Sequence, residues 1–174
     1  MKANRPAIDI RRVDRSQDPV LRNLFEHYLH DMAEWFQFDY GPEGSYSYAT
    51  EAYWDHGVEA YFAYAGEIPI GFGLVGSAAA FTGDADAKDL DEFFVARRYR
   101  RNGLGRELAH HLWNAYPGRW LVRVFQGNLP ALPFWRGAIA GYTNGEYREE
   151  VRTVRERQWS YFTFDNSARG VGIR

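Results

Sequence analysis

The sequence predicts an α/β fold in a single domain spanning residues 1–174, and three observations carry that expectation. Residues 90–109 read as a strand, a tight turn and a helix start. Amphipathic patterns at helical spacing lie before and after that stretch, and short β-favouring runs bounded by turn residues recur along the rest of the chain. For 174 residues one core is the default, able to bury about 70% of the surface that an unfolded chain exposes. Aromatic residues make up 17% of the chain, so that core is rich in rings.

In order, residues 8–13 form a first strand through Ile8, Ile10 and Val13. Ser16 or Asp18 can cap the helix that follows, and Pro19 suits its first turn. Leu21, Phe25, Tyr28, Met32 and Trp35 then recur at helical spacing down to a break near Phe38. His27, His30, Asp31 and Glu34 occupy the other side. That set has metal-like spacing, but no second segment offers matching ligands, so no metal is expected. Residues 39–48 are turn-rich, acidic and aromatic, and form either a loop covering a pocket or a plain surface loop. A hairpin follows, with strands at 58–64 and 68–75 around Ala65, Gly66 and Glu67. A small acidic loop at 84–88 leads to the central strand. Beyond the central helix come a strand at 120–125, a loop at Gln126, Gly127 and Asn128, and a helix from Pro130 to about Ala140. Strands at 147–154 and 158–164 close the chain.

Composition excludes several functions. With no cysteine there is no disulfide, zinc–thiolate site or cysteine nucleophile, and a reducing cytoplasm fits. The formal net charge of -2 provides no global attraction to nucleic acid or acidic lipid, so any affinity for a polyanion must be local. The N-terminal residues lead into no apolar stretch of a signal peptide, and the longest uncharged run, residues 68–83, falls short of the ~20 apolar residues of a membrane span. Neither a nucleic acid nor a membrane is an expected partner.

The chemistry concentrates after the central strand. Gly103 and Gly105 allow a tight bend that exposes backbone N–H groups at a helix start, where the helix dipole and Arg100, Arg101 and Arg106 favour an anion. A pyrophosphate fits such a nest. No Gly-Lys-Ser/Thr follows, which excludes a P-loop, and the turn reads Gly103-x-Gly105-x-x-Leu108 in place of Gly-x-Gly-x-x-Gly, which excludes a dinucleotide fingerprint there.

The spacing Arg100-x-x-Gly103-x-Gly105 after a hydrophobic strand resembles the acyl-CoA-binding signature of the GNAT superfamily of N-acetyltransferases. The element order matches that family from about Ile8 to Phe164. A second match, Asn128-x-x-Ala131-x-x-Phe134-Trp135, resembles its motif after the fifth strand. The resemblance implies a mixed, mostly antiparallel sheet of six or seven strands flanked by helices, acetyl-CoA as co-substrate, and transfer of acetyl to a primary amine. It assigns Arg100, Arg101, Asn102, Gly103, Leu104, Gly105 and Arg106 to the pyrophosphate, backbone of Phe93, Phe94 and Val95 to the pantetheine and acetyl oxygen, and Asn128 and Trp135 to the thiol end. Relatives commonly carry a tyrosine at the place of Trp135 to protonate the thiolate. An indole N–H is no practical acid, so Tyr142, Tyr99 or a water must take that role if it is filled.

An aliphatic amine near pKa 10.4 is neutral only to the order of 0.1% at pH 7, so a base is required. Asp91, Glu92 and Asp89 are the candidates, in that order. Strand alternation puts Asp89 and Asp91 on one face and Glu92 on the other. In diamine acetyltransferases an acidic residue at the place of Asp91 handles the amine, and Asp89 matches the glutamate base of histone-type members. Glu26, Asp31, Glu34, Asp39 and Glu43, interleaved with Trp35, Phe36, Phe38, Tyr40, Tyr46 and Tyr48, either line an acceptor site for a small amine, polyamine or amino-sugar, or are surface and core. A homodimer is compatible with the resemblance. Two competing readings keep part of the pattern: a catalytically weak or inactive acyl-CoA sensor, motivated by Trp135, and a nucleic-acid-binding domain using the basic cluster at residues 97–106.

Overall fold

The computed structural model describes residues 6–168; the N-terminal segment 1–5, part of the signal-peptide reading, lies outside them. Seven strands form one mixed sheet in the order β1-β2-β3-β4-β5-β7-β6, which is the predicted architecture. They are β1 (Asp9–Val13), β2 (Glu59–Ala65), β3 (Ile68–Ser77), β4 (Lys88–Val95), β5 (Arg119–Phe125), β6 (Arg148–Val154) and β7 (Arg157–Asp165). β1 pairs antiparallel with β2, as does β7 with both β5 and β6. β4 and β5 run parallel over three register pairs, Lys88↔Trp120 to Leu90↔Val122, and β4 continues five residues past the last of them.

The helices are α1 (Asp18–Phe36), α2 (Glu51–Asp55), α3 (Ala79–Thr82), α4 (Leu104–Ala115) and α5 (Ala131–Thr143). Two compact units divide the described residues: those up to Leu74 with Glu92–Gly105 form one, and Val75–Asp91 with those from Arg106 onward form the other.

In the first unit the core is built from Leu21, Leu24, Phe25 and Leu29 of α1 against Ala60, Phe62, Phe72, Leu74 and Phe94 of the strands. Neither predicted cap sits at the start of α1. Asp14 caps a short 3₁₀ turn, accepting from the Ser16 N–H at 2.9 Å, and Asp18 begins the helix proper. The buried Asp18 carboxylate instead accepts from Thr50 Oγ1 and Trp54 Nε1, each at 2.7 Å, and from Arg22 at 2.8 Å, tying α2 to α1. Burial pushes that carboxyl up, but the three donors outweigh it and hold it below its ordinary value. α1 stops at Phe36, where Gln37 turns left-handed at φ 55°.

In the second unit α4 buries Leu108, Ala109, Leu112 and Trp113. α5 extends to Thr143, three residues beyond the predicted end, because Gly141 is accommodated inside the helix and Asn144 provides the left-handed cap at φ 56°. α2 and α3 are additions to the sequence reading; at five and four residues they are too short for apolar periodicity to register.

Candidate active site

Where β3 and β4 meet, the backbones approach closely. A Cβ on Gly71 would fall inside contact distance of the Phe94 carbonyl oxygen and 3.2 Å from Val95 Cα, while Ala96 N–H donates to the Ile70 carbonyl at 2.8 Å. Glycine is required there because any side chain would displace the Phe94–Val95 backbone.

Glu92 lies just before that point. Its carboxylate accepts hydrogen bonds from the Tyr28 hydroxyl of α1 and, at 3.1 Å, from the Tyr53 hydroxyl of α2. Rings surround the trio. Phe25 stacks on Phe72 (4.9 Å between centroids) and on Tyr48 (5.2 Å), and Tyr28 meets Phe94 edge-on. Tyr48 is brought there by a loop that α1 holds down. Glu26 accepts from Tyr46 N–H at 2.9 Å, Ser45 Oγ at 3.1 Å and Ser47 N–H at 3.2 Å, while Glu43 accepts from Ser47 Oγ.

The glycine turn follows β4. Arg101 and Gly103 both have positive φ, 64° and 85°, on either side of Asn102, and Leu104 opens α4 with its N–H toward Asn102 Oδ1 at 3.4 Å. Alternating left-handed residues ahead of a helix N-terminus turn successive N–H groups toward one point, which suits an anion such as a pyrophosphate. Arg101 and Arg106 are exposed beside that turn. Arg100, expected at the phosphate, is placed differently: its Nε donates to the Val95 carbonyl at 2.6 Å and its guanidinium pairs with Asp31, which also binds Arg97. Burial raises the Asp31 carboxyl, but hydrogen bonds from Arg100 and Arg97 prevail and hold it below its ordinary value. Asp31 therefore belongs to this latch. Among the described residues no cluster of histidine and carboxylate could hold a metal ion.

In the second unit Asp89 and Asp91 share one face of β4, as alternation requires, and both bind Arg123 of β5. Asp89 Oδ2 accepts from its Nε (3.0 Å) and Nη2 (2.6 Å), and Asp91 Oδ1 accepts from Nη2 at 2.7 Å. The Phe81 ring covers the guanidinium at 3.9 Å. Asp89 is buried and its Oδ1 has no hydrogen-bond partner; burial pushes its carboxyl up to about 6, against the pull of Arg123. A carboxyl raised in the folded state stabilises the fold while protonated, and that contribution disappears as pH climbs through the folded value. The stability of the parent relative to Asp89→Asn should fall by on the order of 3 kcal/mol between about pH 4 and 7. Urea unfolding of both proteins at the two pH values checks this; a difference independent of pH would count against a desolvated Asp89.

Asn128 is half-buried, and its carbonyl accepts from Ala131 N–H at 3.0 Å at the entry to α5. Trp135 is buried on α5, 6.4 Å from Trp113 between ring centroids. Tyr142 is buried too: its hydroxyl donates to Asn114 Oδ1 at 2.8 Å and accepts from Asn166 Nδ2 at 3.1 Å.

Four contributors lie outside the predicted set. Tyr53 sits on a helix too short to detect, Tyr28 reads as an ordinary core position, and Arg123 reads as one residue of a strand. Gly71 alone carried a signal, since a glycine inside a strand marks a close backbone approach.

The family model described as Acetyltransferase (GNAT) family matches residues 29–142. No curated protein matches the chain in sequence. Solved structures match over nearly its whole length. An acetyltransferase from Thermus thermophilus superposes with TM-score 0.66 at 14% identity, covering 94% of this chain and 99% of that one. Spermidine N-acetyltransferase from Vibrio cholerae, in complex with CoA and spermine, follows at TM-score 0.63 and 14% identity, covering 92% and 96%. An aminoglycoside acetyltransferase in complex with coenzyme A and kanamycin gives TM-score 0.64 at 15% identity, covering 93% and 96%. At such identities these likenesses speak for the fold, and the family model spans more than half of the sequence. The chain thus belongs to the GNAT family of acetyltransferases, acyl-CoA-dependent N-acetyltransferases with acetyl-CoA as co-substrate.

Proposed function

We propose that this chain, acting as a single catalytic domain, transfers an acetyl group directly from acetyl-CoA to the primary amine of a small cationic substrate. Acetyl-CoA supplies an acyl group activated as a thioester. The observation that carries the reading is the Glu92 carboxylate, held by Tyr28 and Tyr53 among aromatic rings on the strand that continues into Phe93, Phe94 and Val95. A carboxylate beside ring faces attracts an ammonium and can take up its proton. Glu92 is the first candidate base on this geometry. Asp91 and Asp89 follow it, because Arg123 already engages both.

Arg101, Asn102, Gly103, Leu104, Gly105 and Arg106 hold the pyrophosphate, with Arg100 shaping the loop, and Phe93–Val95 backbone groups orient the acetyl oxygen and pantetheine. Asn128 and Trp135 border the thiol end. Tyr142 is committed to Asn114 and Asn166, which favours Tyr99 or water as proton donor there. Glu26 and Asp31, two acids anticipated on the acceptor side, are engaged by the loop and by arginines, which supports an acceptor of low positive charge over a polyamine or an aminoglycoside such as the two solved relatives bind. The pairing of Arg97 and Arg100 with Asp31 also weakens the nucleic-acid reading. A cytoplasmic setting agrees with the absence of cysteine.

The test is CoA release, followed by thiol detection, over a panel of monoamines, spermidine and kanamycin, alongside calorimetric titration with CoA. Saturable turnover highest with monoamines is the expected result. CoA binding without turnover on any amine would favour the sensor reading, which the buried Trp135 motivates, and absence of CoA binding would overturn both.

A further inference from the structure

We infer that Tyr53 and Tyr48 form a hydroxyl relay that carries the proton taken up by Glu92 out to solvent at the 39–48 loop. The inference rests on the reading of Glu92 as the base and adds the path by which that base is reset. Glu92 is half-buried, and each of its carboxylate oxygens accepts from a phenol. Tyr28, on one oxygen, meets Phe25, Phe72 and Phe94 edge-on, and those rings carry no exchangeable proton. The other arm continues outward. Tyr53 Oη lies 3.1 Å from Glu92 Oε1 and 3.2 Å from the Tyr48 hydroxyl, and Tyr48 is 41% exposed. Both spacings are at the long end for hydroxyls, as catalytic hydrogen bonds commonly are before ligands bind. All of these residues belong to the first unit.

The fold spends free energy on the position of Tyr48. Ser47, just before it, adopts φ 49°, a left-handed conformation that favours glycine, and Glu26 and the Ser45 hydroxyl fix it by accepting from its N–H. The Tyr48 ring then lies on Phe25, 21° from parallel, and the Tyr53 ring follows at 23° with centroids 6.2 Å apart, which sets the two hydroxyls side by side. Phenylalanine at position 48 would make the same stacks, so packing does not account for the oxygen. The proton accounting does. As the amine nitrogen bonds to the acetyl carbon and the C–S bond breaks with its electron pair on sulfur, the ammonium loses two protons: one ends on sulfur and one on Glu92. Glu92 Oε1 then donates to Tyr53, whose hydroxyl turns to Tyr48, whose hydroxyl turns to water. One concerted shift moves each proton one place outward and delivers a hydronium ion to solvent. It leaves a carboxylate with both hydroxyls pointing inward, as at rest, and with phenols of pKa about 10 it avoids any free phenolate.

Tyr48→Phe keeps the ring and removes the outer hydroxyl. In dilute buffer its kcat should fall about tenfold, with the amine KM and CoA affinity at parental values. Raising the concentration of a small buffer such as imidazole, which can accept the proton from Tyr53 in place of Tyr48, should restore the rate, while the parent stays indifferent to buffer. In a Tyr53→Phe background the same substitution should add no further loss, because the relay is already cut. A Tyr48→Phe variant with parental kcat in dilute buffer, or with a loss that added buffer does not move, would overturn the relay. Glu92→Gln separates this failure from that of the base. If Glu92→Gln turns over as the parent does, or if the parent acts on no amine, the base reading falls and the relay with it; if Glu92→Gln is slow beside a parental Tyr48→Phe, the base stands and the relay alone is removed.

Discussion

Gly103→Val is expected to abolish measurable CoA binding while leaving a folded chain. Gly103 stands at φ 85°, a region that a β-branched residue enters only with strain, so valine would swing the turn toward negative φ and turn its N–H groups away from their common point. Its side chain would also project where the backbone must approach a pyrophosphate. Because Gly103 is exposed, the cost to stability is limited to backbone strain, of order 1–3 kcal/mol. Calorimetry should show affinity for CoA reduced by more than about a hundredfold, equivalent to nearly 3 kcal/mol. Gly66→Val is the control. That residue sits in the β2–β3 turn at φ 63° with nothing near its missing Cβ, so it shares the strain but lies outside the proposed site and should keep parental affinity. Loss of binding in both variants, or in neither, would remove the turn from the cofactor site.

Glu92→Gln should lower kcat by about 10² to 10⁴, the range general-base catalysis supplies, with CoA affinity unchanged. Glutamine keeps the shape and can still accept from Tyr28 and Tyr53, so the loss isolates the charge and the proton-accepting oxygen. Tyr53→Phe should cost less, because Tyr28 continues to hold the carboxylate. The acid limb of the pH–rate profile should disappear in Glu92→Gln. An unchanged kcat and profile would move the base to Asp91 or to solvent.

Most of the fold was legible because its signals are local. The Leu21, Phe25 and Tyr28 spacing, the Gly66 turn and the strand–turn–helix around Gly103 each encode their own geometry within about a dozen residues, and the observed elements fall within a few positions of those expected. The misses have physical causes. Asp18 reads as a cap, but a tertiary contact with Thr50 and Trp54, more than 30 residues away, claims its side chain. α5 runs through Gly141 because burial of Ile139, Tyr142 and Thr143 outweighs glycine's helix penalty of about 1 kcal/mol.

The candidate site was legible in its residue types and less so in their partners. Alternation along one strand was enough to put Asp89, Asp91 and Glu92 on their proper faces; it had no means of showing that Arg123 lies across from the first two while Tyr28 and Tyr53 converge on the third. Arg100 illustrates the same limit. In the motif it reads as a phosphate ligand, and only the position of Asp31 on α1 reveals what it holds.

That Asp31 latch has a consequence for how affinity is distributed. A glycine-rich loop left to itself samples many shapes, and gripping a ligand would require freezing roughly 1–2 kcal/mol of entropy at each residue. Here one carboxylate clasps Arg97 and Arg100 at the two ends of the segment that leads into the turn, and Arg100 is bolted to the Val95 carbonyl as well. The ordering is completed during folding, so less of the binding energy released at the turn is consumed in arranging it. On the proposed assignment of the turn to the pyrophosphate, Arg100 contributes rigidity, and the loop meets its ligand already in shape.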